Sequence, residues 1–449
     1  MIHLPQQVHT VLQRLDRAGY EAYIVGGCVR DHLRGTVPSD YDITTSALPE
    51  QMLRVFSDLR VIETGLKHGT VTVLLDGMSL EITTYRLESA YTDHRHPDSV
   101  RFTRCLREDL ARRDLTVNAM AYHPDQGLVD YFGGQEDLER GIIRCVGDPM
   151  QRFEEDALRI MRALRFASVL DFTIEPQTRQ AIFALQDTLD YVSRERIAVE
   201  LVKLLCGRRA GDILLEYTSV LGVCIPELLP LQGFQQHNPY HIYDVLEHTA
   251  RVVDHSPATK VARLAALLHD IAKPPCFTRD IRGIGHFRGH PAIGADMADG
   301  ILRRLKFDNT TRKQVVELIR WHDAPLSASE RTLRRVLRKI SPELFFPLLD
   351  LKKADNLAQN PAMVDPGQVD QMRRKAEDIL SQQQCFDLKN LAVNGADLLA
   401  LGMHPGKDMG KALNWLLDEV ISERVPNERQ ALLSHWTAAH PTSDREAQP

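Results

Sequence analysis

The sequence predicts an α+β protein in which a small domain of mixed strands and helices precedes a long helical region. Short β-type runs such as EAYIVGG, GTVTVLL and LEITTYR alternate with helical and glycine-marked stretches up to about residue 140. Beyond that point apolar residues recur every three or four positions, which is typical of helices that bury one face. Proline-marked breaks at IPELLP, KPPC and SERVPNE divide the helical region into sub-domains.

Composition limits the class of protein before any motif is considered. The 449 residues are 43% hydrophobic and 26% charged, which is ordinary for a globular chain of more than one domain. No apolar run is long enough to span a bilayer, and the N-terminal stretch is typical of an amphipathic helix rather than a signal peptide. Seven cysteines without a CxxC pair favour buried reduced thiols. We therefore expect a cytoplasmic protein with no membrane partner and a disordered, polar C-terminal tail, PTSDREAQP.

Net charge bears on nucleic-acid binding. A formal charge of -6 argues against a surface that coats nucleic acid, but it is compatible with a local basic groove. The run RTLRRVLRKI is one candidate for such a groove, although a solvated helix face explains it better.

The first motif with a chemical meaning is a glycine pair after the first predicted strand, in YIVGGCVRD. Two glycines between a strand and a helix leave backbone N–H groups exposed to an anion. Gly27 would lie at this turn, and Arg30 would lie close enough to pair with a phosphate. Such turns are common, so the glycine pair alone is weak evidence.

A pair of carboxylates follows in SDYDITT. If this segment is a strand, Asp40 and Asp42 project from the same face, because side chains alternate along a strand. Neighbouring carboxylates repel each other unless a cation lies between them, and an all-oxygen pair suits Mg²⁺ that is completed by substrate phosphates. An acidic surface loop would explain the pair by itself, but the glycine pair one helix earlier favours the metal site. Glu81 in a later strand is an evenly balanced candidate for a third carboxylate.

The polar span YRLESAYTDHRHPDSVRFTRCLREDLARRDLTVNAMA is predicted to be an irregular loop that leads into a basic segment. Near its end, Arg113 stands beside Asp114 and Asn118, where it would face a nucleotide. Arg112 is explained equally well as a surface charge.

Residues 153–167, FEEDALRIMRALRFA, carry one carboxylate and three guanidiniums at intervals of three. We predict that one helix carries all four, namely Asp156, Arg159, Arg162 and Arg165. Residues three apart on a helix are neighbours, and each step of three turns by about -60°, so the last two arginines would rotate away from the carboxylate. Surface ion pairs worth a few tenths of a kcal/mol would explain the pattern if it stood alone.

Histidines are concentrated in the helical half, where eight of the eighteen lie between residues 237 and 322. The order H, HD, D is formed by His248, His269, Asp270 and Asp355, with His290 and His322 as weaker additions. This order resembles the HD phosphohydrolase superfamily, which implies one divalent metal on the first four residues and a second on the further histidines. We interpret most of the remaining histidines as polar surface groups or as groups behind the ligands: His237, His241, His255 and His286.

The chain as a whole resembles the class II tRNA nucleotidyltransferases and their poly(A) polymerase relatives. The resemblance rests on seven ordered segments: GGCVRD, SDYDITT, YRLESAYTDHRHP, RRDLTVNAMA, DYFGGQEDL, EEDALRIMRALRF and SRERIAVEL. It implies a polymerase-β-like nucleotidyltransferase head followed by an all-helical neck, body and tail. The tail text NGADLLALGMHPGKDMGKALNWLL resembles the bacterial CCA-adding members. We place the head at 1–140, the neck with its nucleotide-selecting helix at 141–215, the body with an HD domain at 216–365 and the tRNA-binding tail at 366–449.

In this context the 153–167 segment can select a base. Cytosine and adenine both present an amino donor beside a ring-nitrogen acceptor, whereas uracil and guanine present the reverse. An edge in which Asp156 accepts and Arg159 donates would admit C and A and reject U and G. Arg162 and Arg165 would then meet ribose, triphosphate or the RNA 3′ end.

The predicted function is template-independent addition of the 3′-terminal CCA to tRNA from CTP and ATP, with release of pyrophosphate. Asp40 and Asp42 would hold two Mg²⁺ ions, Gly27 and Arg30 would hold phosphates, and Arg113 would hold ribose or phosphates. The partners would be the tRNA acceptor arm, CTP and ATP, and the chain would be a monomer or a homodimer. Two alternatives stay open: A-only or poly(A) addition by the same chemistry, and an HD-type phosphohydrolase whose head only binds RNA.

The loop after the second catalytic strand distinguishes full CCA addition from narrower activities. In the nucleotidyltransferase family that this chain resembles, the members that add only two cytosines lack this loop. Here it is complete, with Arg86, Glu88, Tyr91, Asp93, Arg95 and Pro97. We therefore expect both CTP and ATP to be used, and we expect deletion of residues 87–98 to stop the reaction after the second cytosine.

Overall fold

The computed structural model describes residues 2–88, 100–365, 367–382 and 384–440. The chain forms two compact units, the first comprising Met1–Gln232 with Ile301–Phe307 and the second Gly233–Gly300 with Asp308–Pro449. The predicted α+β class is confirmed, because the first unit carries a mixed sheet and the second is mainly helical. The finer division into head, neck, body and tail stays a prediction. Most of the predicted loop and the polar C-terminal tail lie outside the described residues.

The first unit contains eleven complete α-helices and eleven strands among the described residues. The helices are α1 (Gln6–Arg17), α2 (Gly27–Leu33), α3 (Pro49–Val55), α4 (Leu106–Ala111), α5 (Gly134–Arg140), α6 (Pro149–Glu155), α7 (Leu158–Leu170), α8 (Pro176–Leu185), α9 (Arg194–Leu205), α10 (Ala210–Glu216) and α11 (Thr218–Cys224). The strands are β1 (Ala22–Val25), β2 (Asp42–Thr45), β3 (Arg60–Ile62), β4 (Thr70–Leu75), β5 (Met78–Thr84), β6 (Arg86–Glu88), β7 (Val100–Phe102), β8 (Met120–His123), β9 (Gly127–Asp130), β10 (Ile142–Ile143) and β11 (Thr173–Ile174).

Seven of these strands form one sheet in the order β3-β4-β5-β2-β1-β8-β9. Strands β2 and β5 run parallel and place Asp42 opposite Glu81, whereas the other neighbours in the sheet run antiparallel. Strands β6 and β7 form a separate antiparallel pair, and β10 and β11 form a short parallel one. The register of β2 and β5 therefore brings two acidic side chains together at one place on the sheet.

The interior strand β1, between β2 and β8, shows how the sheet is held in place. Its sequence AYIV is buried on both faces. Ala22 and Ile24 join the cluster formed with α1, and Tyr23 and Val25 join a second cluster with Tyr85 on the other face. Full burial of one such aliphatic side chain contributes about 1.5–3 kcal/mol. Layers on both sides of β1 therefore keep the sheet, and the acidic residues it carries, in a fixed position.

The second unit is built mainly from helices. These are α12 (Val245–His255), α13 (Lys260–Leu268), α14 (His290–Arg304), α15 (Asn309–Trp321), α16 (Glu330–Lys339), α17 (Pro342–Leu357), α18 (Gly367–Ser381), α19 (Gly395–Ala400), α20 (Lys407–Ile421) and α21 (Arg429–Ala439). The last four residues of α14 are assigned to the first unit. A short hairpin is formed by β12 (Thr278–Arg279) and β13 (Gly285–His286). None of the described helices combines the length and the apolar character that crossing a bilayer requires.

The basic run RTLRRVLRKI forms α16, and three of its four arginines have partners within the unit. Arg334 pairs with Glu423, Arg338 pairs with Asp418 on α20, and Arg335 donates to the Ser422 hydroxyl. Two of the five cations in this run are therefore paired with acids outside the helix, so the run is not a purely solvated face.

Candidate active site and a histidine cluster

The first group of site residues is acidic and lies at the start of β2. Asp42 begins the strand with an exposed side chain, opposite the exposed Glu81 on β5. Asp40 lies before the strand, so the expectation that one strand carries both aspartates is wrong. Its pairing with β1 begins at Asp42, opposite Val25, after which the β1 chain turns at Gly26 with φ 76°.

These carboxylates repel one another. Loss of hydration raises the pKa of the Asp42 carboxyl, the nearby Arg113 opposes this rise, and the charges of Asp40 and Glu81 add to it. Among the described residues, the sets of potential metal ligands that lie within 4.8 Å of one another all belong to the second unit. The head carboxylates are therefore near neighbours but not a compact ligand set. Carboxylate oxygens are ligands that Mg²⁺ prefers, and a cation would remove the repulsion, so the residues fit this metal.

Three predicted phosphate-binding residues surround the glycine turn. Gly26 has φ 76°, which favours glycine, and a Cβ at this position would lie 3.2 Å from Arg113 Nη1, so the arginine approaches the turn closely. Gly27 begins α2. Arg30 is only 8% exposed, and it donates to Asn118 Oδ1 at 2.6 Å and to Asp31 at 2.9 Å. The structure thus brings two guanidiniums to one turn.

Asp109 is a site residue that the sequence reasoning missed. Its buried carboxylate accepts hydrogen bonds from Thr44 Oγ1 at 3.0 Å and from the Arg86 backbone N–H at 3.2 Å. It also pairs with Arg112 at 2.8 Å and with Arg113 at 3.5 Å. Despite burial, these two arginines keep the pKa of Asp109 below its usual value. In the sequence, the signal for Asp109 was its spacing of three and four residues from the two arginines in EDLARRD. The ion pair with the buried Asp109 shows that Arg112 is more than a surface charge.

The 153–167 segment departs from the predicted single helix. Helix α6 ends at Glu155, and Asp156 takes an extended conformation with φ -140° and ψ 102°. Its carboxylate then accepts the backbone N–H of Leu158 at 3.1 Å, at the start of α7. Aspartate favours such positions because its short side chain bonds nearby backbone donors outside a helix. Asp156 therefore lies at a break between two helices, and only the three arginines share α7.

Each of these arginines has a partner in the first unit. Asp156 pairs with Arg196 of α9 at 2.9 Å. The pairs made by the α7 arginines are Arg159 with Glu155 at 2.7 Å, Arg162 with Asp114 at 2.6 Å and Arg165 with Glu200 at 3.1 Å. The Arg162 pair outweighs burial and lowers the pKa of Asp114 to about 2. The predicted roles of these residues in binding a nucleotide stay predictions.

The second group of site residues gathers histidines from several helices. His248 lies on α12, His269 and Asp270 directly follow α13, His290 begins α14, His322 directly follows α15, and Asp355 lies on α17. His248 Nε2 lies 3.0 Å from Asp355 Oδ1, and His290 Nε2 lies 3.2 Å from His322 Nε2. The spatial convergence that the order H, HD, D predicted is therefore present.

Asp270 connects two ligand sets in this cluster. Its Oδ2 lies 3.1 Å from His269 Nε2 and 3.4 Å from His248 Nε2, whereas its Oδ1 lies 3.4 Å from His290 Nε2 and 3.7 Å from His322 Nε2. Although Asp270 is buried, its cationic neighbours hold its pKa well below the usual value. Imidazole nitrogens with a carboxylate suit divalent transition metals, and a carboxylate with one oxygen toward each set can bridge two of them.

His241 corrects one prediction from the sequence, because it lies beside the cluster. It belongs to a compact set with His248 and Asp355, and burial together with Lys273 lowers its pKa to about 3. His241 stands in a loop, so no helical spacing pointed to it. Of the other three histidines, His237 and His255 are exposed and His286 pairs with Asp280.

A cavity of about 690 Å³ opens beside this cluster within the second unit. Its lining combines cationic, amide and aromatic side chains with the cluster itself, including Lys273, Phe287, Arg288, Lys352 and Gln359. Such a cavity is large enough for a ligand of nucleotide size.

A mixed sheet that presents acidic residues next to an arginine-lined glycine turn defines the class of a metal-dependent nucleotidyltransferase. The family described as poly A polymerase head domain matches residues 22–144. The family described as probable RNA and SrmB-binding site of polymerase A matches residues 171–231, and the one described as tRNA nucleotidyltransferase domain 2, putative, matches residues 292–436.

Full-length relatives narrow the class to one family. The chain is 36% identical to the CCA-adding enzyme of Levilactobacillus brevis over 97% of this chain and 99% of the relative. It is 35% identical to that of Bacillus subtilis over 94% of each chain. The crystal structure of the Bacillus stearothermophilus CCA-adding enzyme in complex with CTP matches with a TM-score of 0.73 and 30% identity over 97% of each chain. The chain belongs to the CCA-adding enzyme family, which are tRNA nucleotidyltransferases.

Proposed function

We propose that this protein adds the 3′-terminal C, C and A to tRNA from CTP and ATP and releases pyrophosphate. The observation that carries the proposal is similarity to CCA-adding enzymes along the whole chain, which includes the nucleotidyltransferase head and the helical parts alike. The tRNA acceptor arm, CTP and ATP are then the partners. The seven free cysteines suit a reducing cytoplasm.

The head residues divide the work of nucleotidyl transfer. Asp40 and Asp42, with Glu81 beside them, hold the metal. Bound Mg²⁺ supplies Lewis-acid stabilisation of the attacking 3′-hydroxyl and of the leaving pyrophosphate. Arg30 and Arg113 pair with phosphate oxygens at the glycine turn of Gly27, and the buried Asp109 orients Arg113 toward them.

Base selection falls to the break between α6 and α7. Asp156 presents an acceptor to the amino group of cytosine or adenine, and Arg196 holds its carboxylate in place. Arg159, which follows in the first turn of α7, donates to the ring nitrogen. Arg162 and Arg165 are oriented by Asp114 and Glu200 and serve the sugar, the triphosphate or the RNA end.

The test uses tRNA that lacks its last three, two or one nucleotides, each offered CTP, ATP, UTP or GTP singly. We expect CTP to extend the first two substrates and ATP to extend the third, with UTP and GTP rejected. An enzyme that uses only ATP, on every substrate, would instead indicate A-only or poly(A) addition and would refute the proposal.

We also propose that the histidine cluster is a metal-dependent phosphohydrolase site of the HD type. The observation that favours it is the placement of Asp270 between two ligand sets. His248, His269, Asp270 and Asp355 would hold a divalent metal there, and the metal would supply Lewis-acid activation of water for attack on a phosphate ester. Lys273, whose Nζ lies 2.7 Å from Asp270 Oδ2, is placed to hold a phosphate oxygen.

This second activity is tested by metal analysis of the purified protein and by assays with phosphodiesters and phosphomonoesters. We expect bound divalent metal and hydrolysis, both lost in His269→Ala while CCA addition is retained. A wild-type protein that binds no transition metal would refute the HD site and leave CCA addition untouched.

A further inference from the structure

The predicted ligand histidines of the cluster share one hydrogen-bonding pattern. In each of these histidines, Nδ1 faces a backbone carbonyl oxygen. The pairs are His248 with Ala358 at 3.3 Å, His269 with Ala266 at 2.8 Å, His290 with Phe287 at 2.8 Å and His322 with Ile319 at 2.6 Å. A carbonyl oxygen can only accept, so Nδ1 carries the proton and the lone pair lies on Nε2. This arrangement is the one that orients a histidine as a metal ligand.

His241 follows the same pattern although it comes from a loop. Its Nδ1 lies 2.9 Å from Asn238 Oδ1. The orientation of the Asn238 amide is fixed, because Oδ1 also accepts the backbone N–H of Tyr240 at 3.1 Å. His241 therefore donates from Nδ1 and presents its Nε2 lone pair, as the four ligand histidines do.

The Nε2 atom of His241 already faces a cation. The Lys273 ammonium donates to His241 Nε2 at 3.2 Å, to Asp270 Oδ2 at 2.7 Å and to Gln236 Oε1 at 2.7 Å. The Gln236 amide is oriented by its donation to the Tyr243 carbonyl. A position that holds positive charge through a ligand carboxylate and a histidine lone pair is suited to a metal ion as well.

His241 is also close enough to His248 and Asp355 to share a metal ion with them. The ring centroids of His241 and His248 lie 5.0 Å apart, and their ligand atoms and that of Asp355 lie within 4.8 Å of one another. Metal–nitrogen bonds of about 2.0–2.1 Å allow ligand atoms on one ion to lie up to about 4.2 Å apart, so a small movement brings all three onto one ion.

We propose that His241 is a further metal ligand, which binds through Nε2 the divalent ion held by His248 and Asp355. The proposal rests on the HD metal centre proposed above and extends its ligand set by a residue from the loop at 236–241. A further imidazole favours a borderline transition metal over Mg²⁺. Lys273 then keeps Asp270 and Gln236 as partners. The third N–H of its ammonium, which now meets His241, becomes available to a phosphate oxygen.

The test titrates Co²⁺ into the full-length protein after its metal has been removed with a chelator. Co²⁺ reports both affinity and, through its visible absorption, the number and type of its ligands. We expect His241→Ala to weaken Co²⁺ binding about 10-fold or more and to change the absorption spectrum. The matched control is His255→Ala, which removes an exposed histidine at the end of α12 and should change neither quantity. Asn238→Ala should weaken binding less, because it only frees the ring.

The outcomes separate the two proposals. If wild type binds no Co²⁺, the metal centre itself is wrong. If wild type and His255→Ala bind Co²⁺ and His241→Ala matches them in affinity and spectrum, the centre stands and the role of His241 is refuted. Tryptophan fluorescence checks that His241→Ala is folded, because the three tryptophans all lie in the second unit. If that variant is unfolded, His241→Gln, which nearly keeps the volume of the side chain, replaces it.

Discussion

The acidic site of the head and the histidine cluster of the second unit are both suited to metals, yet they are built differently. Asp40, Asp42 and Glu81 are exposed and do not form a compact ligand set. The ligands of the cluster are buried or half-buried, and hydrogen bonds behind them fix each imidazole. Among the described residues, compact sets of potential ligands therefore occur in the cluster, whereas the head carboxylates lie near one another without forming such a set.

Charge explains why the two sites differ. Around Asp42, loss of hydration raises the pKa of the carboxyl and the charges of Asp40 and Glu81 add to the rise, whereas the Arg113 guanidinium opposes it. Around Asp270 the neighbours His269 and Lys273 lower the pKa and favour the anion. In the reaction proposed above, the Mg²⁺ that accompanies a triphosphate would supply positive charge to the head carboxylates.

The largest expected effect comes from breaking the head site. Asp42→Ala should reduce addition of both C and A by about 10³-fold or more, because loss of a metal ligand removes several kcal/mol of transition-state stabilisation. Binding of tRNA should change little. Single-turnover incorporation and filter binding measure the two quantities, and Glu63→Ala, an exposed acid elsewhere in the head, is the matched control. Near wild-type turnover of the variant in Mg²⁺ would show that Asp42 binds no metal.

The next effect compares two ligands within the cluster. Because Asp270 serves both ligand sets, Asp270→Ala should reduce the metal content from about two ions per chain to none, whereas His322→Ala should remove one. Both variants should retain CCA addition, since every residue of the cluster belongs to the second unit and the head site belongs to the first. Metal analysis of the purified proteins gives the content. Equal losses in the two variants would show that Asp270 does not bridge.

Local sequence patterns predicted the main residues of both sites but missed His241. The order H, HD, D predicted the cluster because each of these residues lies on a helix or directly next to one, and helical periodicity is visible in sequence. The acidic pair and the glycine turn were likewise local patterns. His241 escaped because its position depends on Asn238 and on a loop conformation, which leave no periodic signal.

Asp156 and Asp109 show a second limit of the sequence. The interval of three from residue 156 to 165 predicted one helix. The structure instead has a break at Asp156, between the end of α6 at Glu155 and the start of α7, and there the Asp156 carboxylate accepts the Leu158 backbone N–H. Arg196, its partner, lies 40 residues later in the chain, and such long-range pairs are set by packing. The same holds for the bond between Asp109 and Thr44, which joins α4 to β2.

A smaller effect tests whether the head also has a preformed part beneath its open site. Asp114→Asn should lower the free energy of unfolding by about 2 kcal/mol at pH 7, because it leaves the Arg162 guanidinium without its buried carboxylate. The folded pKa of about 2 is below the ordinary 3.8, so the contribution is present above pH 4 and is lost as the pH falls toward 2. About half of the difference between wild type and variant should remain at pH 3. Urea unfolding followed by circular dichroism at pH 7, 5 and 3 measures it, and an unchanged difference at pH 3 would contradict the assignment.

The smallest effect concerns how firmly the base-selecting edge is held. Asp156 is half-buried and its carboxylate is paired with Arg196, whereas Arg159 is buried against Glu155 and the carbonyl of Arg112. If Arg196 only holds the acceptor, Arg196→Gln should raise KM for CTP and ATP alike by roughly 10-fold, about 1.4 kcal/mol, and UTP should still be rejected. Arg159→Gln should instead reduce the preference for CTP over UTP, since it removes a donor to the base. Competition between CTP and UTP on tRNA lacking three nucleotides measures the preference. A loss of preference in the Arg196 variant alone would assign the donor to Arg196 and would make the base-selecting edge a contact between α9 and the helix break.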